Sequence, residues 1–369
     1  MKIVVCGTRG FPDIQGGIET HCEELFPRIA NSEFEVIVTR RSPYVAKNAP
    51  QTYQHVKFKD INVPKITGLE SALHTFLSII YAWRIKADIV HIHGVGPSIA
   101  IPVAKILGLK TVVTHHGPDY ERKKWGRIAK CIIKTGERFA ARYADEIIII
   151  SSLIGDILKN KYHRTHHVHL IYNGVNIPEQ IVSTDYLDSL PVIPNKYLLA
   201  VGRFVEEKNF DFLIDAYKQS DIHTKYQLAI AGDSDIETTY SLKLKAKAKA
   251  NGVVLTGMIK GKKLAELYSN AALFVLPSSH EGLPITLLEA MSYKRKVIAS
   301  NIPANLTVGL DNDSYFELGN IQDLKDKIVK QLQNDETEKT YDLSTYNWDT
   351  IASETITVYK NIYSSTLTD

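Results

Sequence analysis

Tyr197-Leu198-Leu199-Ala200-Val201-Gly202-Arg203-Phe204-Val205-Glu206-Glu207-Lys208 runs from five apolar residues into a glycine and then into a charged loop. The apolar run does not alternate with polar residues, which is what a strand covered on both faces requires. Similar runs follow at residues 227–231, 253–256, 273–276 and 296–299, with helical patterns between them. An earlier series lies at residues 3–6, 35–39, 89–93, 111–114 and 146–150. Strands separated by helices predict right-handed βαβ units and parallel sheets. Residues 176–196 divide the two series and hold Pro178, Pro191 and Pro194, the composition of a linker. The reading is therefore α/β, with two Rossmann-like doubly wound domains facing across a cleft. The first spans residues 1–180 and the second 190–350. Ligands of such sheets bind beyond the carboxyl ends of the strands.

The 369 residues suffice for two cores at roughly 100–200 residues per domain. A net charge of +3 gives no general attraction for nucleic acid, and none is expected as a partner. Cys6, Cys22 and Cys131 are odd in number and form no CxxC pair, which argues for a reducing compartment and against a disulfide framework or zinc site. Residues 1–7 read as a strand entering a glycine turn, not as a signal peptide. The longest apolar window, residues 72–83, contains His74 and falls short of the ~20 residues of a membrane span. A cytoplasmic protein is expected, with room for peripheral attachment to a membrane.

Two segments carry chemistry. In the first, Arg203 and Lys208 sit five residues apart in a strand-end loop. Arg offers a planar fork and Lys a movable point charge, both suited to phosphate oxygens. A surface loop with incidental charges would read the same way. The second is Pro277-Ser278-Ser279-His280-Glu281-Gly282-Leu283-Pro284-Ile285-Thr286-Leu287-Leu288-Glu289-Ala290-Met291, after the run at 273–276. Gly282 permits a tight turn, and Pro284 suits the first turn of a helix. The amides of Ile285, Thr286 and Leu287 would then open the helix, with about half a positive charge, as an anion site. Glu289 lies further into this helix and Glu281 just before the turn. Two glutamates on an ordinary helix and loop are the alternative.

Together, Glu281-x7-Glu289 within EGLPITLLEAM and GRFVEEK upstream resemble the retaining nucleotide-sugar glycosyltransferases of the GT-B fold, glycosyltransferase family 4. Further similarities run in order along the chain. They include Gln15-Gly16-Gly17-Ile18-Glu19, Asp88-Ile89-Val90-His91-Ile92-His93, Thr114-His115-His116-Gly117, Ile171-Tyr172-Asn173-Gly174-Val175, Gly232-Asp233 and Thr256-Gly257. Tyr346-Asn347-Trp348-Asp349 resembles the start of a C-terminal helix, 351–369, that returns to the first domain. The opening KIVVCGTRGFPDIQGGIET is similar to members that build bacterial surface polysaccharides, often rhamnosyltransferase-like.

The resemblance implies roles. Arg203 and Lys208 hold the donor diphosphate, Glu289 the ribose and Glu281 the transferred sugar. Gly16 and Gly17 approach the diphosphate. Gly232, Gly282, Leu283, Ile285 and Thr286 line the donor site. Met258 and Ile259 fall at the base-binding loop, and His116, with His115 adjacent, at the acceptor-domain histidine. The donor is a nucleotide-sugar, UDP-linked for preference. The acceptor is a saccharide or a lipid-linked saccharide. No cofactor or metal is expected, because Arg203 and Lys208 supply the charge a metal would supply.

Two DxD strings, Asp233-Ser234-Asp235 and Asp311-Asn312-Asp313, are the residues that would hold a metal instead. Lys123, Arg127, Lys130, Lys134, Arg138 and Arg142 recur every three or four residues and make a basic stripe on one helix. With Trp125, Ile128, Ile132 and Phe139 nearby, the stripe suits an anionic membrane, or equally a solvated helix face. A nicotinamide dehydrogenase is disfavoured because Gly7-Thr8-Arg9-Gly10 is not GxGxxG. A hydrolysing nucleotide-sugar epimerase and a non-catalytic sugar-binding module remain as rivals.

Overall fold

The computed structural model describes residues 1–14, 16–64, 70–121, 126–178, 181, 183–234, 237–333 and 338–364; for Tyr363 and Ser364 it describes the backbone alone. The chain divides into two compact units, Met1–Gly174 with Tyr346–Asp369, and Val175–Thr345. Sequence and structure agree on the class, α/β with parallel sheets.

The first unit contains β1 (Lys2–Cys6), α1 (Gly17–Ile29), β2 (Glu35–Arg41), β3 (Thr52–Tyr53), β4 (Val56–Ile61), α2 (Glu70–Arg84) and β5 (Ile89–His93). It continues with α3 (Ile101–Ile106), β6 (Lys110–His115), α4 (Arg127–Tyr143), β7 (Glu146–Ile149), α5 (Ser152–Tyr162) and β8 (Val168–Leu170). Its sheet order is β3-β4-β2-β1-β5-β6-β7-β8, parallel except for the β3–β4 pair. Chain order reverses between β1 and β5, so the loops beyond these two strands diverge and leave a crevice. Ile3, Val5, Val36, Val38, Ile89 and Val112 are fully buried, as their continuous apolar runs require.

The second unit contains β9 (Tyr197–Val201), α6 (Phe210–Lys218), β10 (Gln227–Ala231), α7 (Thr239–Ala250), β11 (Val254–Gly257), α8 (Gly261–Ser269) and β12 (Leu273–Leu276). Then come α9 (Ile285–Ser292), β13 (Val297–Ser300), α10 (Pro303–Leu306), β14 (Tyr315–Phe316) and α11 (Ile321–Gln333). The order is β11-β10-β9-β12-β13-β14, all parallel, with its reversal between β9 and β12. The last helix, α12 (Trp348–Ser364), belongs to the first unit, where Trp348, Ile351 and Tyr359 join the core formed by β1, α1 and β2.

The predicted strands all form, with ends differing by a residue or two. Four strands went unread: β3, β4, β8 and β14. Three of them have two or three residues, too few to show a period, and β4 reads Val-Lys-Phe-Lys with Lys57 and Lys59 exposed. None of the four lies in the middle of its sheet.

Candidate active site

In the second unit the two predicted segments follow β9 and β12, the adjacent strands at the reversal point. Their loops are tied together. Ser279 N–H donates to Glu207 O at 2.8 Å, and Asn209 Nδ2 to Pro277 O at 3.1 Å. Lys208 Nζ then lies 2.6 Å from Glu281 Oε1, with both side chains mostly shielded from water. Residues 73 positions apart in the chain become an ion pair because their strands are neighbours. Arg203 is half-buried on the same loop as Lys208.

Gly232, after β10, takes φ +143°, and a Cβ there would lie 1.9 Å from Gly202 O. Only glycine allows this approach, in which Gly202 N–H donates to Ala231 O and Gly232 N–H to Gly257 O.

Helix α9 begins at Ile285, with Pro284 as its N-cap at φ −80° and ψ 84°. The expected position of Pro284 inside the first turn is corrected by one residue. Proline has no N–H and needs no acceptor at either place. A tight first turn also brings Leu287 N–H to Pro284 O at 3.0 Å. The amides left without an intrahelical acceptor are therefore those of Ile285 and Thr286, and Leu287 drops from the expected anion site. Thr286 Oγ1 is buried and has no partner among the described residues. Gly282 is half-buried and Leu283 fully buried in the preceding turn.

Glu289 Oε2 accepts from Tyr268 Oη at 2.8 Å, and the Tyr268 ring stacks on Tyr293 at 5.2 Å. Burial, then the Glu289 charge, push the Tyr268 phenol well up, so it stays a donor. Met258 is exposed and Ile259 half-exposed just past β11.

In the first unit Gly16 and Gly17 open α1. A Cβ on Gly16 would meet Glu19 Oε2 at 2.0 Å. Glu19 is buried and pairs with Arg9 at 3.2 Å. Burial alone would raise its carboxyl, but the charge and hydrogen bonds of Arg9 outweigh that and lower it.

His116, half-buried just beyond β6, is the histidine turned toward other imidazoles. Its Nε2 is 3.0 Å from His93 Nδ1, and its ring lies 4.9 Å from that of His21. Burial, then the charges of His21, His115 and His91, hold His116 well below the ordinary histidine range. His115 faces away into the core. Its Nε2 is 3.2 Å from Glu137 Oε1, and its Nδ1 accepts Gly117 N–H at 3.1 Å. His116 therefore faces the other imidazoles and His115 the core.

Glu137 also accepts from Lys161 Nζ and Tyr162 Oη, each at 2.6 Å. Burial raises its carboxyl, but these three partners outweigh burial and bring it to about 2. Sequence reasoning missed Glu137 and Tyr268. For Glu137 a signal existed: with Ile133, Ala140 and Ala141 it shares the buried face of the basic helix.

On α4, Arg127, Lys134, Arg138 and Arg142 are exposed, Lys130 is half-exposed and Ile128 is 79% exposed. Ile133, not Ile128, turns inward. Lys123 and Trp125 lie outside the described residues.

Of the DxD carboxylates, Asp233 pairs with Lys245 at 2.8 Å, Asp311 with Lys339 at 2.5 Å and Asp313 with Lys330 at 2.6 Å. Asp235 lies outside the described residues. Among the described residues no helix is long and apolar enough to cross a membrane.

Comparison with known proteins agrees with this layout. Residues 15–178 match the family described as Glycosyltransferase Family 4, and residues 191–348 match Glycosyl transferases group 1. An uncharacterized glycosyltransferase of Methanocaldococcus jannaschii is 26% identical over 88% of this chain and 87% of its own length. The capsular polysaccharide biosynthesis glycosyltransferase CapH of Staphylococcus aureus is 27% identical over 66% of this chain and 68% of its own. Among solved structures, Anabaena HepE in complex with UDP and glucose superposes with a TM-score of 0.74 at 17% identity, covering 100% of both chains. With both halves matched in order and the two-unit fold shared, this chain is a GT-B glycosyltransferase of the group 1 and family 4 type.

Proposed function

We propose that this glycosyltransferase moves a sugar, with retention, from a UDP-sugar to a saccharide acceptor, lipid-linked, in bacterial surface polysaccharide synthesis at the cytoplasmic face of the membrane. The observation that carries the donor half is the joining of the β9 and β12 loops at the reversal point, with Lys208 and Glu281 paired beside the start of α9. UDP and the polysaccharide setting draw on what HepE binds and on the pathway of CapH.

In the reaction the bond between the sugar C1 and the diphosphate oxygen breaks, and negative charge grows on the leaving phosphate. Arg203, Lys208 and the amides of Ile285 and Thr286 are fixed donors for that charge, usually the largest catalytic contribution. The acceptor oxygen bonds C1 on the same face, and its proton passes to the departing phosphate oxygen. Glu281 orients the sugar, while Glu289, held by Tyr268, takes the ribose hydroxyls. Gly16 and Gly17 bring backbone to the diphosphate, Gly232 holds the donor loops together, and Met258 and Ile259 flank the base. His116, kept neutral, hydrogen-bonds sugar or acceptor.

No step needs a metal. The test incubates the protein with UDP-, GDP- and dTDP-sugars, with and without lipid-linked saccharide, in the presence of a chelator. An α-linked product from an α-linked donor, formed only with acceptor and unaffected by chelation, is expected. Free sugar or an epimer without acceptor would overturn transfer in favour of a hydrolysing epimerase. Loss of activity on chelation, restored by Mn²⁺, would overturn metal independence.

A further inference from the structure

Three imidazoles from separate elements meet beyond β5 and β6: His21 on α1, His93 at the end of β5 and His116 after β6. One ring nitrogen from each lies within 4.8 Å of the other two. His21 and His93 are fully buried, and His116 is half-buried. His21 Nδ1 is 2.8 Å from Asn173 Oδ1, so it carries the proton and leaves the lone pair on Nε2. That Nε2, enclosed in the protein, has no partner among the described residues. His93 and His116 share one proton across 3.0 Å. Buried acceptors are rarely left unsatisfied, and one that is calls for an explanation.

We propose that His21, His93 and His116 form a site for one borderline divalent transition ion of the Zn²⁺ class, with a fourth position open on the exposed side of His116. Three neutral nitrogen ligands favour Zn²⁺, Co²⁺, Ni²⁺ or Cu²⁺ over Mg²⁺ and Ca²⁺. Bonds of about 2.0–2.1 Å need nitrogens roughly 3.3 Å apart, so the rings close by small side-chain rotations. Asn173 supplies the outer hydrogen bond that orients a metal-bound histidine. On binding, the shared proton moves to the far nitrogen of His93 or His116, and no proton is lost. All three ligands lie in the first unit.

Titration of the tag-free full chain with Co²⁺ tests this. One equivalent should give the intense visible absorption of four-coordinate cobalt, and Zn²⁺ should displace it one for one. His21→Gln should abolish the band. His116→Gln, at a half-buried position, should do the same while circular dichroism stays native. Cys131→Ser should leave the band unchanged. Absence of the band in the wild type would overturn the site. So would a band that survives both histidine variants. The readout is spectroscopic, so failure of the transfer assay leaves it standing, and its failure leaves the transferase reading standing.

Discussion

Lys208 Nζ stands 2.6 Å from Glu281 Oε1, so the lysine proposed to hold the donor phosphate is committed to a carboxylate. A donor diphosphate has to share this cation, not simply occupy it. Lys208→Met should lower kcat/KM by about 10²-fold, the usual cost of one oxyanion donor. Glu281→Gln should behave differently: UDP binds at least as tightly because the lysine is released, while kcat falls. Calorimetry with UDP and steady-state kinetics separate the two effects. Wild-type kcat/KM in Lys208→Met would remove the lysine from the mechanism.

Tyr268 holds Glu289, to which the proposed function gives the ribose. Tyr268→Phe deletes the 2.8 Å donor to Glu289 and nothing that touches substrate. Loss of one hydrogen bond to a carboxylate, about 1.5 kcal/mol, corresponds to a roughly tenfold rise in donor KM with kcat little changed. A change in kcat alone would argue against a positioning role.

The buried histidines make stability depend on acid. His74 on α2 is fully buried. Burial, then the Arg41 charge, bring it down to about 3. The unfolded chain takes up this proton near pH 6.5, while the folded chain resists it until about 3. Between those values the unfolded state holds the extra proton, so stability falls as pH drops, by about 1.4 kcal/mol per pH unit for each such group. His21, at about 4, and His91, at about 3, act in the same direction. His74→Leu should flatten the dependence by one proton's worth in urea unfolding at pH about 6 and about 5. An unchanged slope would refute the assignment.

The exposed cations of α4 predict attachment to anionic bilayers. Replacing Arg127, Lys130 and Lys134 with Gln, together with Lys123, should reduce sedimentation with vesicles containing anionic lipid, about 1 kcal/mol per charge. Neutral vesicles should show little difference between variant and wild type. Undiminished binding to anionic vesicles would return the stripe to an ordinary solvated face.

The sequence by itself determined the fold class and the strand-end position of the two charged segments. Continuous apolar strands are a local signal of burial on both faces, and they place Gly202-Arg203 and Glu281-Gly282 at strand ends without any knowledge of neighbours. Short edge strands such as Tyr315–Phe316 carry no period and stayed unread. Tertiary structure alone decided which strand ends lie side by side, and therefore that Lys208 meets Glu281, that Tyr268 holds Glu289 and that His115 turns to Glu137 while His116 faces His93. Sheet order, which juxtaposes residues scores of positions apart, is a property of the whole packed chain, and it is this order that pairs the charges and gathers the imidazoles.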